Sequence, residues 1–194
     1  TLLIEKHVGK IGEAETSLPS GKIALGHTRW ATHGGVNDAN AHPHYDCSKK
    51  IAVIHNGIVE NYHEFKSDLI NKGHKFRSET DTEVIAHLIE ESIVHSKAKD
   101  LKKSVFEVFN RLAGSNAIGV LDFDTGQMVF CRNGSPLVAG VDEENGQFFI
   151  GSDVPAFLKH TNRVYFINDG EGIVVSKSDI KLFDLSTLSE KKLV

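Results

Sequence analysis

The chain has 194 residues, the usual size of one domain, and 40% of them are hydrophobic, which is enough for a substantial core. Its net charge of −4 gives no reason to expect nucleic acid or a membrane surface as a partner, and no apolar run approaches the ~18 residues that a membrane helix requires. The two cysteines are too few for a disulfide framework, which favours a reducing, cytoplasmic location. We therefore expect a single domain over residues 1–194.

The first third of the chain predicts strands joined by loops. Apolar runs indicate strands over residues 2–7, 22–29 and 51–55. Residues 34–48 contain many glycines and polar residues and predict a long loop between the second and third of these strands.

Three amphipathic helices are expected next, because apolar residues recur there at the spacing that puts them on one face. The first begins at Asn61 and stops at Gly73, the second is capped by Ser78 or Thr80, and the third is capped by Asp100. The apolar faces consist of Tyr62, Phe65, Leu69 and Ile70 in the first helix, Val84, Ile85, Leu88, Ile89 and Ile93 in the second, and Leu101, Val105, Val108, Phe109 and Leu112 in the third.

After Gly114 the sequence predicts short strands connected by hairpin turns. Turn sequences occur at residues 124–126 and 143–146, and residues 154–159 indicate a short helical segment. The predicted strands span residues 116–123, 127–132, 137–141, 147–150, 163–167, 172–176 and 180–185. Strands, then helices, then a series of hairpins indicate an α+β fold rather than alternating βαβ units.

The most unusual segment is residues 26–34 (Gly-His-Thr-Arg-Trp-Ala-Thr-His-Gly), at the end of a predicted strand. Arg29 offers a fixed fork of donors for a carboxylate or phosphate, and Trp30 offers a rigid wall. A small anionic ligand would suit such a site. Taken alone, the segment is equally consistent with a polar surface strand that runs into a turn.

Three further motifs follow it in order: residues 40–44 (Asn-Ala-His-Pro-His), 53–57 (Val-Ile-His-Asn-Gly) and 78–83 (Ser-Glu-Thr-Asp-Thr-Glu). Together the four resemble the glutaminase domain of class II glutamine amidotransferases, and most closely the branch that aminates fructose 6-phosphate. The alternative branch acts on phosphoribosyl pyrophosphate and carries other residues at the first two motifs. The resemblance implies a four-layer αββα sandwich of the N-terminal-nucleophile hydrolase type.

The resemblance implies a catalytic role for Asn56 and Gly57, which correspond to the oxyanion hole that stabilises the developing negative charge. It assigns Arg29 to the α-carboxylate of glutamine and Asp81 to its α-ammonium group. The residues alone leave other interpretations open. Asn-Gly is the strongest signal for a plain turn, and an aspartate at the start of a helix complements the helix dipole.

Four more residues of the motifs are implied to form the same pocket. Thr32, His33 and His42 correspond to its lining. Trp30 corresponds to a residue involved in loop closure and in the passage of ammonia to a partner domain, although a core anchor is an equally simple reading of that tryptophan.

The nucleophile of the family, an N-terminal cysteine followed by glycine, has no counterpart in this sequence. The chain begins with Thr1 and contains no Cys-Gly, and both Cys47 and Cys131 are expected to be ordinary thiols. We expect the N-terminal segment of the domain to be missing, so that this chain releases no ammonia from glutamine. A glutamine-binding module without chemistry remains an alternative.

Closely spaced histidines raise a further alternative, a metal-dependent hydrolase. Pro43 stiffens the segment between His42 and His44, and no Cys or carboxylate cluster lies beside this segment at the spacing of a zinc site. We therefore expect no metal. The histidines are His27, His33, His42, His44 and His55. The resemblance implies that no cofactor is needed. It also implies that the partner is a sugar-isomerase domain of the same parent chain and that the parent is a homo-oligomer.

Overall fold

Ten strands and three α-helices form within residues 3–9, 17–30, 33–96 and 100–193, which are the residues described by a computed structural model. The strands are β1 (His44–Tyr45), β2 (Ile51–Gly57), β3 (Asn116–Asp122), β4 (Met128–Asn133), β5 (Val138–Asp142), β6 (Gln147–Gly151), β7 (Val164–Phe166), β8 (Glu171–Ser176), β9 (Asp179–Asp184) and β10 (Glu190–Lys191). The helices are α1 (Tyr62–Asn71), α2 (Glu83–His95) and α3 (Leu101–Phe109), and a 3₁₀ turn spans Val154–Ala156.

The strands form two antiparallel sheets. The larger sheet has seven strands in the order β1-β2-β3-β4-β8-β9-β10, and the smaller has three in the order β6-β5-β7. Strands β2, β3 and β4 lie side by side over nearly their whole lengths, so they form the rigid centre of the larger sheet.

Both faces of the larger sheet are buried, because successive side chains of a strand point to opposite faces. Val120 and Val129 belong to the core that the larger sheet shares with the three helices. Phe130 and Ile173 belong to a second core, shared with the smaller sheet. On the other face of the smaller sheet, Phe157 follows the 3₁₀ turn and lies against β5. The predicted α+β fold with stacked sheets is confirmed.

The predicted helices form, but the second helix begins differently from the prediction. Asp100 caps α3 by accepting a hydrogen bond of 3.2 Å from Lys103 N–H, as expected. The N-cap of α2 is Thr82, whose side chain makes no capping bond, and the hydroxyl of Thr80 instead lies 3.0 Å from Nε2 of His44. A tertiary contact has replaced the local cap. Among the described residues, no helix has the length and apolar character needed to cross a membrane.

Two predicted strands do not form. Residues 3–7 and 22–29 have no strand structure, and Leu2 lies outside the described residues. An apolar run becomes a strand only where a neighbouring strand pairs with its backbone groups, and neither segment has such a partner among the described residues. The two-residue strands β1 and β10 were not predicted, because they are too short to show an alternating pattern.

The adjacent residues Leu69 and Ile70 of α1 provide a direct test of this packing. Both are on the predicted apolar face, but Leu69 is fully buried and Ile70 is 53% exposed. We expect Leu69→Ala to lower the free energy of unfolding by about 2–5 kcal/mol, because it leaves a cavity in the core. The matched variant Ile70→Ala should cost less than about 1 kcal/mol. Urea denaturation of both variants measures the difference, and equal losses would contradict the packing.

Candidate active site

The end of β2 requires glycine at position 57. Gly57 pairs with Asn116 of β3 and has a φ of 132°, which side-chain-bearing residues rarely adopt. A Cβ at this position would lie 2.0 Å from the carbonyl oxygen of Ser115. Asn56 and Gly57 therefore end a paired strand in the larger sheet and do not form a plain hairpin turn.

Asn56 is held in one orientation by a neighbouring histidine. Nε2 of His27 lies 2.9 Å from Oδ1 of Asn56. An amide oxygen only accepts, so Nε2–H of His27 donates this bond. Burial lowers the pKa of His27, although the bond to Asn56 opposes the shift. The oxygen of Asn56 therefore accepts from His27, while its NH₂ group has no hydrogen-bond partner among the described residues.

His55 is fixed in one neutral tautomer between Thr82, at the start of α2, and Asn116 of β3. Asn116 donates through its NH₂ group to two backbone carbonyls, so its Oδ1 accepts from Nε2 of His55 at 2.9 Å. Nδ1 of His55, 3.0 Å from the hydroxyl of Thr82, is then the acceptor. Burial lowers the pKa of His55, and the Asp81 carboxylate opposes this shift.

Four imidazoles pack beside the end of β2. The rings of His27 and His42 lie 4.1 Å apart, those of His42 and His44 lie 4.9 Å apart, and the backbone N–H of His55 donates to Nδ1 of His42 at 3.4 Å. Burial and then the neighbouring imidazoles hold the pKa of His42 far below its ordinary value. Within the described residues these histidines do not bring their ring nitrogens together as a metal-binding group.

Arg29 binds the loop that follows it. Its guanidinium donates to the carbonyl oxygens of Gly34 and Gly35 at 3.2 and 3.1 Å and also to that of His33. A guanidinium carries more N–H donors than these three carbonyls use, so Arg29 can hold the loop and still donate to a ligand.

The same loop is tied to the residues that precede α2. Gly35 N–H donates to Oε2 of Glu79 at 3.3 Å, and Asn40 bridges the two by donating to Gly35 O and accepting from Glu79 N–H. The bonds from Asn40 and then Gly35 lower the pKa of Glu79. Gly34 has a φ of 78°, and a Cβ there would lie 2.7 Å from Asn40 Nδ2. The first and last motifs therefore form one connected unit.

Asp81 connects this unit to the end of β2. It is buried and accepts a hydrogen bond of 2.8 Å from the backbone N–H of Val59, two residues after Gly57. It directly precedes Thr82, the N-cap of α2, so the predicted position at the start of a helix is correct.

A cavity of about 1210 Å³ adjoins these residues. Of the residues predicted from the sequence, Arg29, His42 and Asn56 line it together. Neither Gly57 nor Asp81 lines the cavity. Gly57 follows the lining residue Asn56 directly, and Asp81 contacts Val59, two residues after Gly57.

Two other predicted site residues, Trp30 and His33, do not line this cavity. His33 is partly buried with its ring 5.3 Å from that of Tyr62, and Trp30 is 91% exposed, so it is not a core anchor. Thr32 lies outside the described residues.

Sequence reasoning did not assign the residues that hold the site in place. Asn116 and Thr82 fix His55, Asn40 and Glu79 fix the loop after Arg29, and His27 fixes Asn56. Four of the five occur in the quoted motifs, and Asn116 lies in β3. Their roles were not visible because each contact joins residues 27 or more positions apart.

Neither cysteine lies at the cavity. Cys131 is fully buried in β4, and burial raises the pKa of its thiol well above the ordinary value. Cys47 lies in the turn before β2, and its sulfur contacts His74 and His87.

The sequence matches the profile of the glutamine amidotransferase domain over residues 27–159. Glutamine–fructose-6-phosphate aminotransferase (isomerizing) from Thermococcus kodakarensis is 45% identical over 98% of this chain and 32% of its own length. The chain belongs to the glutamine amidotransferase domain family. The enzyme of the same name from Pyrococcus horikoshii is 47% identical over 96% of this domain and 31% of its own length. The chain thus spans about a third of the length of these relatives.

Solved structures agree with this fold. Phosphoribosyl pyrophosphate amidotransferase from Bacillus subtilis superimposes on the domain with a TM-score of 0.67 and 25% identity, covering 82% of this chain and 34% of that one. A class II glutamine aminotransferase domain protein from Silicibacter pomeroyi has a TM-score of 0.55, with 75% and 70% covered, and at 14% identity it supports the fold alone.

The buried histidines lead us to expect that acid destabilises this amidotransferase domain. Burial and then the Lys6 charge lower the pKa of His44 to about 3 from an ordinary value of 6.5. Below pH 6.5 the unfolded chain therefore binds more protons than the folded domain, so the free energy of unfolding falls as the pH falls. One such group contributes a slope of up to about 1.4 kcal/mol per pH unit.

Urea denaturation between about pH 7 and pH 4 measures this slope. We expect His44→Gln, which keeps a polar group beside Thr80, to have a shallower slope than the wild type. The control His95→Gln removes an exposed histidine and should leave the slope unchanged. Identical slopes for all three proteins would contradict the assignment.

Proposed function

We propose that this domain binds glutamine and hydrolyses its side-chain amide as the glutaminase part of a glutamine:fructose-6-phosphate aminotransferase. Four relatives that carry this name are 43–47% identical over nearly the whole chain. In this role, residues 1–194 act as one domain in the cytoplasm that binds and orients glutamine. The parent enzyme releases the ammonia to its sugar-isomerase domain, which forms glucosamine 6-phosphate. The parent enzyme is a homo-oligomer, as the family resemblance implies.

The observation that carries the proposal is the fixed orientation of Asn56. When a nucleophile attacks the glutamine amide, the carbonyl oxygen becomes negatively charged and needs a donor already in place. His27 engages Oδ1 of Asn56, which leaves the NH₂ group to donate. Gly57 allows the backbone to approach the ligand. The loss of one such donor costs ~2.7–4 kcal/mol of transition-state stabilisation.

Arg29 and Asp81 are proposed to bind the two ends of the glutamine main chain. Arg29 lines the cavity with Asn56 and retains donors beyond those that hold the loop, which supports a role with the α-carboxylate. Asp81 is a buried carboxylate bonded to Val59, close to the end of β2, which supports a role with the α-ammonium group.

The other predicted residues keep their proposed roles around the ligand. His42 lines the cavity beside His27. Thr32 and His33 are proposed to contribute to the lining of the same pocket, as the family resemblance implies. The high exposure of Trp30 supports a contact with the partner domain during ammonia transfer.

Two alternatives remain, and observations weigh on each. The phosphoribosyl pyrophosphate amidotransferase among the solved structures is 25% identical to this chain, well below the fructose 6-phosphate relatives, which favours the sugar branch. A glutamine-binding module without chemistry is supported by the absence of Cys47 and Cys131 from the cavity lining.

Glutamine binding tests the role of Arg29. We expect the chain to bind L-glutamine in isothermal titration calorimetry and Arg29→Ala to weaken this binding by roughly 10–100-fold, since a charge-assisted hydrogen bond is lost. The control Arg163→Ala removes an exposed arginine paired with Glu143 and should bind normally. Unchanged affinity in Arg29→Ala, with an unchanged melting temperature, would show that Arg29 only supports its loop.

Ammonia release tests hydrolysis and the role of Asn56. In the protein expressed from its complete reading frame, we expect Asn56→Ala to lower kcat by about 10²–10³-fold and to change KM little, because the interaction strengthens only in the transition state. The control Asn145→Ala lies in an exposed turn and should retain full activity. A wild-type protein that binds glutamine but releases no ammonia would establish the binding-module alternative.

A further inference from the structure

A second group of polar side chains lies at the other end of β2 from Asn56. It consists of Cys47, in the turn between β1 and β2, His74, in the segment between α1 and α2, and His87 and Glu90 on α2. The group is independent of the cavity, since none of the four lines it. Sequence reasoning treated Cys47 as an ordinary thiol and did not connect it with any histidine.

The four side chains direct their donor atoms to one point. Sγ of Cys47 lies 3.7 Å from Nδ1 of His74 and 3.7 Å from Nδ1 of His87. Oε2 of Glu90 lies 3.0 Å and 3.3 Å from the same two nitrogens. All four donor atoms lie within 4.8 Å of one another. A zinc tetrahedron with bond lengths of ~2.0–2.3 Å has edges of about 3.3–3.7 Å, so only small adjustments would be needed.

We propose that Cys47, His74, His87 and Glu90 bind one zinc ion with a structural role. Thiolate sulfur, imidazole nitrogen and carboxylate oxygen are the ligands that zinc accepts in proteins. With the thiol deprotonated and both imidazoles neutral, one thiolate and one carboxylate balance the 2+ charge of the ion. Such a neutral centre suits the site, since His74 and His87 are 8% and 0% exposed.

The outer nitrogens of both histidines face carboxylates, which is typical of metal-bound histidine. Nε2 of His74 lies 3.0 Å from Oε1 of Glu91. Nε2 of His87 lies 3.6 Å from Oε1 of Glu83, which is longer than a hydrogen bond, and this nitrogen is buried with no hydrogen-bond partner in the described part of the chain.

A metal-free cluster of ion pairs is the competing explanation. Protonated histidines beside Glu90 and Glu91 would account for the short nitrogen–oxygen distances. The backbone N–H of Cys47 also donates to Oε2 of Glu90 at 3.1 Å in such a cluster. The ion pairs would not account for the position of its sulfur, because a thiol is a weak partner in an ion-pair network, and yet the sulfur is equidistant from both Nδ1 atoms. The convergence of sulfur, nitrogen and oxygen on one point favours the metal.

The proposed site is closed, so its role is structural and not catalytic. Four protein ligands complete the tetrahedron and leave no position for water or substrate. The ligands come from three separate segments and join the β1–β2 turn and the α1–α2 connection to α2. Helix α2 begins beside Asp81 and Thr82, which contact Val59 and His55, so the ion would hold in place the element that supports the end of β2.

Metal content of the purified 194-residue chain tests the proposal. We expect protein prepared without chelators in zinc-containing medium to hold one zinc per chain by mass spectrometry, and Cys47→Ala and His87→Gln to lose it. The control His95→Gln changes an exposed histidine on the same helix and should keep the metal. Zinc retained in full by Cys47→Ala would mean that the ion binds elsewhere and would overturn the assignment.

Cobalt titration of the metal-free wild-type chain keeps the test valid if the variants fail to fold. We expect Co²⁺ to give the visible absorption of a tetrahedral site together with a thiolate-to-cobalt charge-transfer band, and zinc to displace it and raise the melting temperature. Glu91→Gln should weaken zinc binding by about 10–100-fold while the chain stays folded. A wild-type chain that shows no cobalt band and no thermal shift with zinc would overturn the proposal.

Discussion

The pairing of β2 with β3 is the constraint on which the candidate active site depends. The ladder extends along the whole of β2 and sets Gly57 opposite Asn116. The two strands can approach this closely only because residue 57 has no side chain to meet Ser115. The same register brings His55 within reach of Asn116, so one ladder positions both the Asn56 amide and the His55 imidazole. A shift by one residue would reverse which face each side chain occupies.

Uncharged histidines surround this strand end, and burial is the reason that they are uncharged. A buried imidazolium loses its hydration, so burial lowers the pKa of His27, His42, His44 and His55. In the neutral form each ring has one donor and one acceptor, and these are used to orient a neighbour such as Asn56 or Asn116. The histidine-rich motifs therefore have a simpler explanation than metal binding at the cavity: they are the hydrogen-bonding scaffold of the site.

The sequence predicted the helices and hairpins well, because their signals are local. The apolar stripes of α2 and α3, the cap at Asp100 and the turn at residues 124–126 all follow from residues a few positions apart. The predictions that failed depended on distant partners. Residues 22–29 have the composition of a strand but pair with no strand among the described residues, and Ile70 has the spacing of a core residue but faces solvent.

The sequence by itself determined the α+β class and the family resemblance, and it predicted the cavity-lining residues Arg29, His42 and Asn56, because motif letters and periodicity are properties of the chain alone. The tertiary structure decided how those residues are used: that Arg29 holds its own loop, that His27 orients Asn56, and that Trp30 is exposed. It alone brought Cys47 to His74 and His87, which are 27 and 40 positions further along the chain. Hydrogen bonds and metal coordination act only over a few ångströms, and which distant residues come that close is set by how the sheets and helices pack.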